Sequence, residues 1–199
     1  TFGEYPPFPM TGYETGGYVV STSGVENGDY YPWEAFNGVI DDNTATDAWQ
    51  PGYNIGGDFD TSGVATTQTR FNPGGGAALV NGPALIIQFP HKVVVTSYDV
   101  YARKAGDVSY GFANKPKSGR IYGSNDGSIW THVNTFGDWT SWIANTPQIE
   151  TVTTPGAYNR YALVVESMIY QSQTWVAICE WKLYGHKEGD LTRFPEPTR

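Results

Sequence analysis

Ala35-Phe36-Asn37-Gly38, continued by Asp41-Asp42-Asn43-Thr44-Ala45-Thr46-Asp47-Ala48-Trp49, places a run of oxygen-bearing side chains between two aromatic residues that favour burial. Phe36 and Trp49 would pin the ends of this stretch in a core, leaving carboxylates, amides and hydroxyls between them close enough to surround a hard cation. Calcium is the natural candidate, because it takes carboxylate, amide and backbone carbonyl oxygens. The same composition also suits an Asx-rich turn, whose side chains bond only to neighbouring backbone. Taken alone, these residues support the two readings equally.

Outward from this stretch, the chain carries period-two or continuously apolar runs rich in β-branched residues, bounded by turn signals, and no sustained helical spacing. Strands are predicted over 17–23, 84–89, 93–103, 119–123, 129–136, 148–154, 160–167 and 175–184, a count that suits a β-sandwich. Pro32-Trp33-Glu34-Ala35-Phe36 predicts a single helical turn leading into the oxygen-rich stretch. Asn125-Asp126-Gly127 predicts a hairpin turn, since Asp and Gly tolerate positive φ. Residues 50–82 are Gly-rich, with Gly56-Gly57 and Gly74-Gly75-Gly76, and a structureless loop of that length is usually functional or mobile.

The ends read differently. Pro6, Pro7 and Pro9 surround Tyr5 and Phe8, which disfavours helix and favours an extended arm. Residues 187–199 carry charges with Pro195 and Pro197 and show no apolar period. The expected organisation is therefore a Pro-rich arm over 1–16, one sandwich over 17–185 and a linker over 186–199. Proline keeps both ends out of regular ladders, so they are expected to add little to the core and to connect to adjoining modules.

Composition narrows the function. Aromatic residues make up 15% of the 199 positions and charged residues 16%, with 24 glycines and 13 prolines, a balance that suits many turns and leaves aromatics for a binding surface. The formal charge of −8 argues against nucleic acid as a partner, because such binding rests on clustered Lys and Arg. No apolar run is long enough to cross a bilayer, so no membrane insertion is expected. The single cysteine, Cys179, lies in Trp175-Val176-Ala177-Ile178-Cys179 and reads as a small buried hydrophobe. His91, His132 and His186 show no metal-ligand or triad spacing, and no Lys-Ser/Thr follows the glycine triplet as a phosphate loop requires. No catalytic constellation is present, and the chain is read as non-enzymatic.

Five motifs in order carry a family resemblance: Ala35-Phe36-Asn37-Gly38 with Trp49; residues 98–103; Gly123-Ser124-Asn125-Asp126-Gly127-Ser128-Ile129-Trp130; Arg160-Tyr161-Ala162-Leu163-Val164-Val165; and Cys179-Glu180-Trp181-Lys182-Leu183-Tyr184-Gly185. Together they resemble the discoidin family, also called coagulation-factor C-type domains, and the related carbohydrate-binding modules of the galactose-binding-like fold. The resemblance implies an all-β, antiparallel jelly-roll sandwich. It also implies a structural calcium site formed by the Phe36 carbonyl, Asn37, Asp42, Thr46, the Cys179 carbonyl and Glu180. Physics points the same way for Glu180, which interrupts an apolar run and needs a charge or several donors if buried; the competing reading has it facing solvent. Asn37 stands where many relatives have Asp, and the loop is longer than theirs, so the choice among Asp41, Asp42 and Asp47 stays open.

For ligand binding, the resemblance implies an Arg at the end of the strand over 98–103, matched here by Arg103. Its donor fork suits paired sugar hydroxyls, with Tyr110, Phe112, Tyr170 or Trp175 as candidate stacking faces. The competing roles are an ion pair of Arg103 with Asp99 or Asp107, and core or inter-module packing for the aromatics. Gln50 follows Trp49 where many relatives have His, and it can hydrogen-bond hydroxyls without titrating.

The sequence thus predicts a calcium-stabilised module that binds neutral glycans through Gln50, Arg103, Tyr170 and Trp175, for adhesion in an extracellular setting or on a virion surface. The alternative is a structural assembly module of a virion surface, fibre or sheath, packed against neighbouring modules or copies of itself. Tyr5-Pro6-Pro7 and Arg193-Phe194-Pro195-Glu196-Pro197 are similar to linkers between repeated domains in surface proteins of large algal viruses.

Overall fold

The computed structural model describes residues 2–24, 28–40, 47–51, 57–103, 114–143, 145–169 and 174–190. Its strands are β1 (Phe2–Tyr5), β2 (Glu14–Thr15), β3 (Tyr18–Thr22), β4 (Arg70–Phe71), β5 (Val80–Asn81), β6 (Ala84–Ala102), β7 (Lys115–Ser124), β8 (Thr131–Phe136), β9 (Gln148–Thr151), β10 (Ala157–Ile169) and β11 (Ile178–Lys187). A 3-10 turn spans Pro32–Phe36, where one helical turn was expected. Every paired strand is antiparallel.

The two strands expected over 84–89 and 93–103 are one strand that serves both layers of a sandwich. The first half of β6 lies between β3, with Val20 opposite Ile87, and β10, with Leu163 opposite Leu85. β10 continues that layer to β7 and β8. The second half of β6 lies between β11, with Leu183 opposite Tyr98, and β9, with Glu150 opposite the same Tyr98. A strand that switches layers through a bend is a standard way to close a sandwich corner. The bend falls between Gln88, the last residue paired to β3, and Val93, the first paired to β11.

Alternation assigns the two faces of the first layer. Leu85, Ile87, Tyr161, Leu163, Val165 and Ile121 enter the central core, while Ala84, Ala162, Val164 and Tyr122 face the other way. That outer face is covered too. Phe71 and Val80 of the short β4–β5 hairpin pack on it with Trp130, and Phe71 sits 5.0 Å from Tyr122 and 5.3 Å from Trp130 between ring centroids. The described part of the Gly-rich stretch, residues 57–82, is therefore packed structure that buries a sheet face. Gly82 makes the close approach possible: at φ 126° its α-carbon lies so near the Val165 carbonyl that a Cβ would come within 2.0 Å of that oxygen.

The expectation for the N-terminal arm is corrected. β1 pairs with β11 from Phe2 opposite His186 to Tyr5 opposite Leu183, and Tyr5 and Met10 belong to the central core. Proline ends this ladder without preventing it, because Pro6, Pro7 and Pro9 all follow β1. At the other end the ladder runs on to Lys187, and Glu188 N–H donates to Lys92 O (3.0 Å); residues 191–199 lie outside the described residues. Asp126, in the expected hairpin turn, accepts from Ser128 N–H and Ile129 N–H, with Gly127 at φ 75°.

Two stability predictions follow from this packing. Tyr5→Ala, which empties a core position under β11, should cost about 3 kcal/mol, read as a lower urea midpoint; an unchanged midpoint would return the arm to a linker role. Tyr161→Phe should cost about 1–3 kcal/mol by the same measurement, because its hydroxyl accepts from Val95 N–H (3.2 Å) and lies 2.7 Å from Val93 O.

Candidate functional site

Glu180 is where the sequence expectations meet. Along β11, Trp181 and Leu183 enter the core, whereas Glu180 alternates with them, in step with Lys182. A one-sided strand would leave it in solvent, yet it is 4% exposed. The cover comes from the arm and the oxygen-rich stretch, because Glu180 lines a cavity of about 450 Å3 with Tyr5, Pro7, Pro9, Phe36 and Gly38. Gly38 N–H donates to Glu180 Oε2 at 3.0 Å. Burial, the largest influence, pushes the Glu180 carboxyl up to about 8, while the Gly38 N–H and Lys182 pull it down and Glu4 adds to the rise. The solvent-facing reading of Glu180 is thereby excluded.

The oxygen-rich stretch is fastened to β11 at both ends. Phe36 packs on Trp181 with ring centroids 5.8 Å apart, and Trp49 exchanges backbone hydrogen bonds with Ile178 (2.9 and 3.1 Å). Phe36, Asn37, Cys179 and Glu180 thus come from segments that meet here, while Asp42 and Thr46, like Asp41, lie outside the described residues. The donors present are oxygens, as a hard cation requires, and the buried carboxylate lacks full compensation, so the residues fit calcium in kind. Two of them are already engaged. Phe36 O accepts from Met10 N–H (2.8 Å) and keeps a second lone pair, whereas Asn37 Oδ1 accepts from Val39 N–H (2.8 Å) in an Asx turn. Among the described residues no cluster of three or more His, Cys, Asp or Glu side chains is placed to hold a metal.

Of the residues expected to bind a ligand, Gln50 and Arg103 lie at the end of the sandwich opposite the β6 bend. Trp49 bridges to Ile178 and Ile178 pairs with Ala102, which brings Gln50 and Arg103 to neighbouring positions on either side of the start of β11. Their exposure differs from expectation. Gln50 is 0% and Trp175 3% exposed, so neither offers an open face, and Trp175 takes its alternative role as a packed residue. Arg103 is partly exposed; Tyr170, Tyr110 and Phe112 lie outside the described residues. Neither amide atom of Gln50 has a partner among the described residues. A buried amide left so costs about 1–3 kcal/mol.

Sequence reasoning missed two neighbours at this end. Asn114, at φ 78°, accepts from Ala177 N–H (2.7 Å) while its buried Oδ1 has no partner among the described residues, and Lys115 is buried, which lowers its pKa. A lysine opening a strand reads as solvated, so the sequence carried no signal for it. The arm's contribution to the cavity was missed because its prolines read as a linker.

The architecture is that of the galactose-binding-like β-sandwiches, which include family 32 carbohydrate-binding modules and F5/8 type C domains. The family 32 module of Clostridium perfringens NanJ, solved with galactose, aligns over 84% of this chain and 93% of its own at 16% identity and a TM-score of 0.53. A second Clostridium perfringens module, solved with GalNAc-β-1,3-galactose, aligns over 84% and 95% at 11% identity and a TM-score of 0.56. An F5/8 type C domain from Bacteroides fragilis aligns over 85% and 92% at 16% identity and a TM-score of 0.52. At these identities the likeness is one of fold. No family model and no curated protein sequence matches the chain.

The raised Glu180 carboxyl gives a pH prediction for chelator-treated protein. Folded Glu180 holds its proton to about 8 while the unfolded group releases it near 4.5, so the unfolded state binds fewer protons between these values. The stabilising contribution is complete below 4.5 and is lost as pH rises through 8. Glu180→Gln should match the parent in urea melts at about pH 4.5 and exceed it by a few kcal/mol near pH 9; parallel pH curves for the two proteins would refute the assignment.

Proposed function

We propose that this chain is a non-catalytic module that binds neutral glycans through the end of the sandwich bearing Gln50 and Arg103. The observation that carries this reading is the meeting of Trp49 and Ala102 at Ile178, which sets the partly exposed Arg103 at the same end of the sandwich as Gln50. The Arg103 guanidinium offers a planar donor fork that suits adjacent hydroxyls, while the buried Gln50 backs this end of the sandwich. The net charge of −8 disfavours anionic polymers. The fold is shared with modules solved with galactose and with GalNAc-β-1,3-galactose, which supports the ligand class.

Calcium has a structural role in this reading. Glu180 and the Phe36 and Cys179 carbonyls would hold the ion with donors from the stretch around Asp42 and Thr46, and the ion would supply the charge that the buried carboxylate lacks. Asn37, whose Oδ1 serves its own turn, contributes through that turn's shape. The module works outside the cell or on a virion surface, connected by its ends to neighbouring modules or copies.

A glycan array run with multivalent protein, with and without calcium, tests the function. Neutral glycans should bind, Arg103→Ala should lower binding at least tenfold with the melting temperature preserved, and chelation should lower the melting temperature. Absence of any neutral glycan signal would shift the assignment to a structural assembly module, and full binding by the Arg103 variant would move the glycan site away from this end.

A further inference from the structure

A second aromatic feature lies away from the loop end. Tyr31 and Trp33 flank Pro32 at the start of the 3-10 turn, and Tyr13 joins them from the segment before β3. Tyr13 O accepts from Val20 N–H (2.8 Å), which places Tyr13 level with the middle of β3, on the flank of the sandwich. All three rings reach solvent: Tyr13 is 39% exposed, and Tyr31 and Trp33 are partly exposed.

The ring geometry is that of a platform. Tyr31 and Trp33 are parallel within 13° but have centroids 6.2 Å apart. Full overlap would bring them to about 3.5–4 Å, so the rings are parallel but displaced. Tyr13 meets Tyr31 nearly edge-on, at 68° and 6.0 Å.

The support under the rings is rigid. Tyr31 N–H donates to Glu34 Oε2 (2.9 Å), Glu34 N–H donates to Tyr31 O (3.1 Å), and the Tyr31 hydroxyl donates to Gly28 O (2.6 Å). Pro32 fixes one φ between the rings. Little conformational freedom is left to lose when a ligand settles on them.

We propose that Tyr13, Tyr31 and Trp33 form a second binding surface, on the flank of the sandwich, that takes the apolar face of a neutral pyranose ring. The C–H face of a pyranose matches the exposed ring area, and its hydroxyls meet the polar edges. The Trp33 indole N–H has no partner among the described residues and is free to donate. A purely apolar partner would bury that N–H unpaired, and Lys and Arg are absent from Gly28–Gly38, so the turn lacks the cation that an anionic ligand requires. A Pro-rich peptide needs a groove between ridges, whereas these rings are parallel and line none of the three described cavities. This surface stands apart from Gln50 and Arg103, so the module would engage glycan at two places.

The test follows the Trp33 indole N–H resonance, assigned by its loss in Trp33→Phe, during titration with methyl β-galactoside, lactose, cellotriose and mannotriose. At least one sugar should shift it in a saturable way, Tyr31→Ala should weaken that isotherm at least tenfold, and Arg103→Ala should leave it unchanged. A static Trp33 signal with all four sugars overturns the proposal, even if a glycan array is positive through the loop end. An isotherm that Arg103→Ala abolishes overturns it by assigning the response to the other site. A shift produced by the peptide Arg193-Phe194-Pro195-Glu196-Pro197 and by no sugar makes the surface a linker dock and equally overturns it.

Discussion

The structure depends on the fold-over of β6 between its two halves. A single strand that serves both layers fixes their separation and relative direction, so every other strand finds its place by pairing with one half or the other. Aromatic packing holds the corner. Phe89 at the bend meets Tyr5, Tyr18 and Tyr161 at interplanar angles of 66–81°. The Tyr161 hydroxyl reaches across to the backbone of Val93 and Val95, satisfying groups that the bend removes from the regular ladder. Strand β10 thereby ties the beginning of the second layer to the first.

The arm and the buried carboxylate are consequences of that arrangement. β11 runs beside the second half of β6, and its free edge is taken by β1. Once β1 is paired, the prolines that follow must turn over Glu180, and the carboxylate passes from solvent to a cavity wall. The cost is electrostatic, since one N–H and a nearby ammonium offset only part of the lost hydration. The ladder and the Tyr5 packing that cover the acid are thus opposed by its desolvation, and a bound cation would relieve that opposition.

Local pattern made much of the fold legible. Seven of the eight expected strands lie on strands of the structure at shifted boundaries, with two of them fused in β6, and the eighth, 175–184, overlaps β11. Phe36, Trp49 and Cys179 are buried as their neighbours implied. What escaped was non-local. Nothing near Tyr5 announces β11 as its partner, and the proline run argued against any ladder. Phe71, Val80 and Trp130 form one cluster from distant segments, so the stretch containing the first two read as unstructured. At the site, the approach of Gln50 to Arg103 was implied by resemblance, but its depth was not, because exposure at a strand end depends on the surrounding loops.

The same strand geometry separates the chain ends from the loop end. Phe2 pairs with His186, so the two ends of the sandwich's chain path lie side by side, and both are near the β6 bend. Ile178, with Gln50 and Arg103 beside it, is at the far end of β11, nine residues from Lys187 along one strand. A strand rises about 3.3 Å per residue, so roughly 30 Å separates the two ends. Neighbours joined through the chain ends would therefore leave the loop end uncovered, and the aromatic flank lies between the two. On the proposed reading this matters more than the strength of either contact. Open sites leave much of a sugar hydrated and bind it weakly, and weak sites become useful when several are displayed together at high effective concentration. A module fastened at one end, with recognition at the other and along one side, meets that geometric condition without any change to its core.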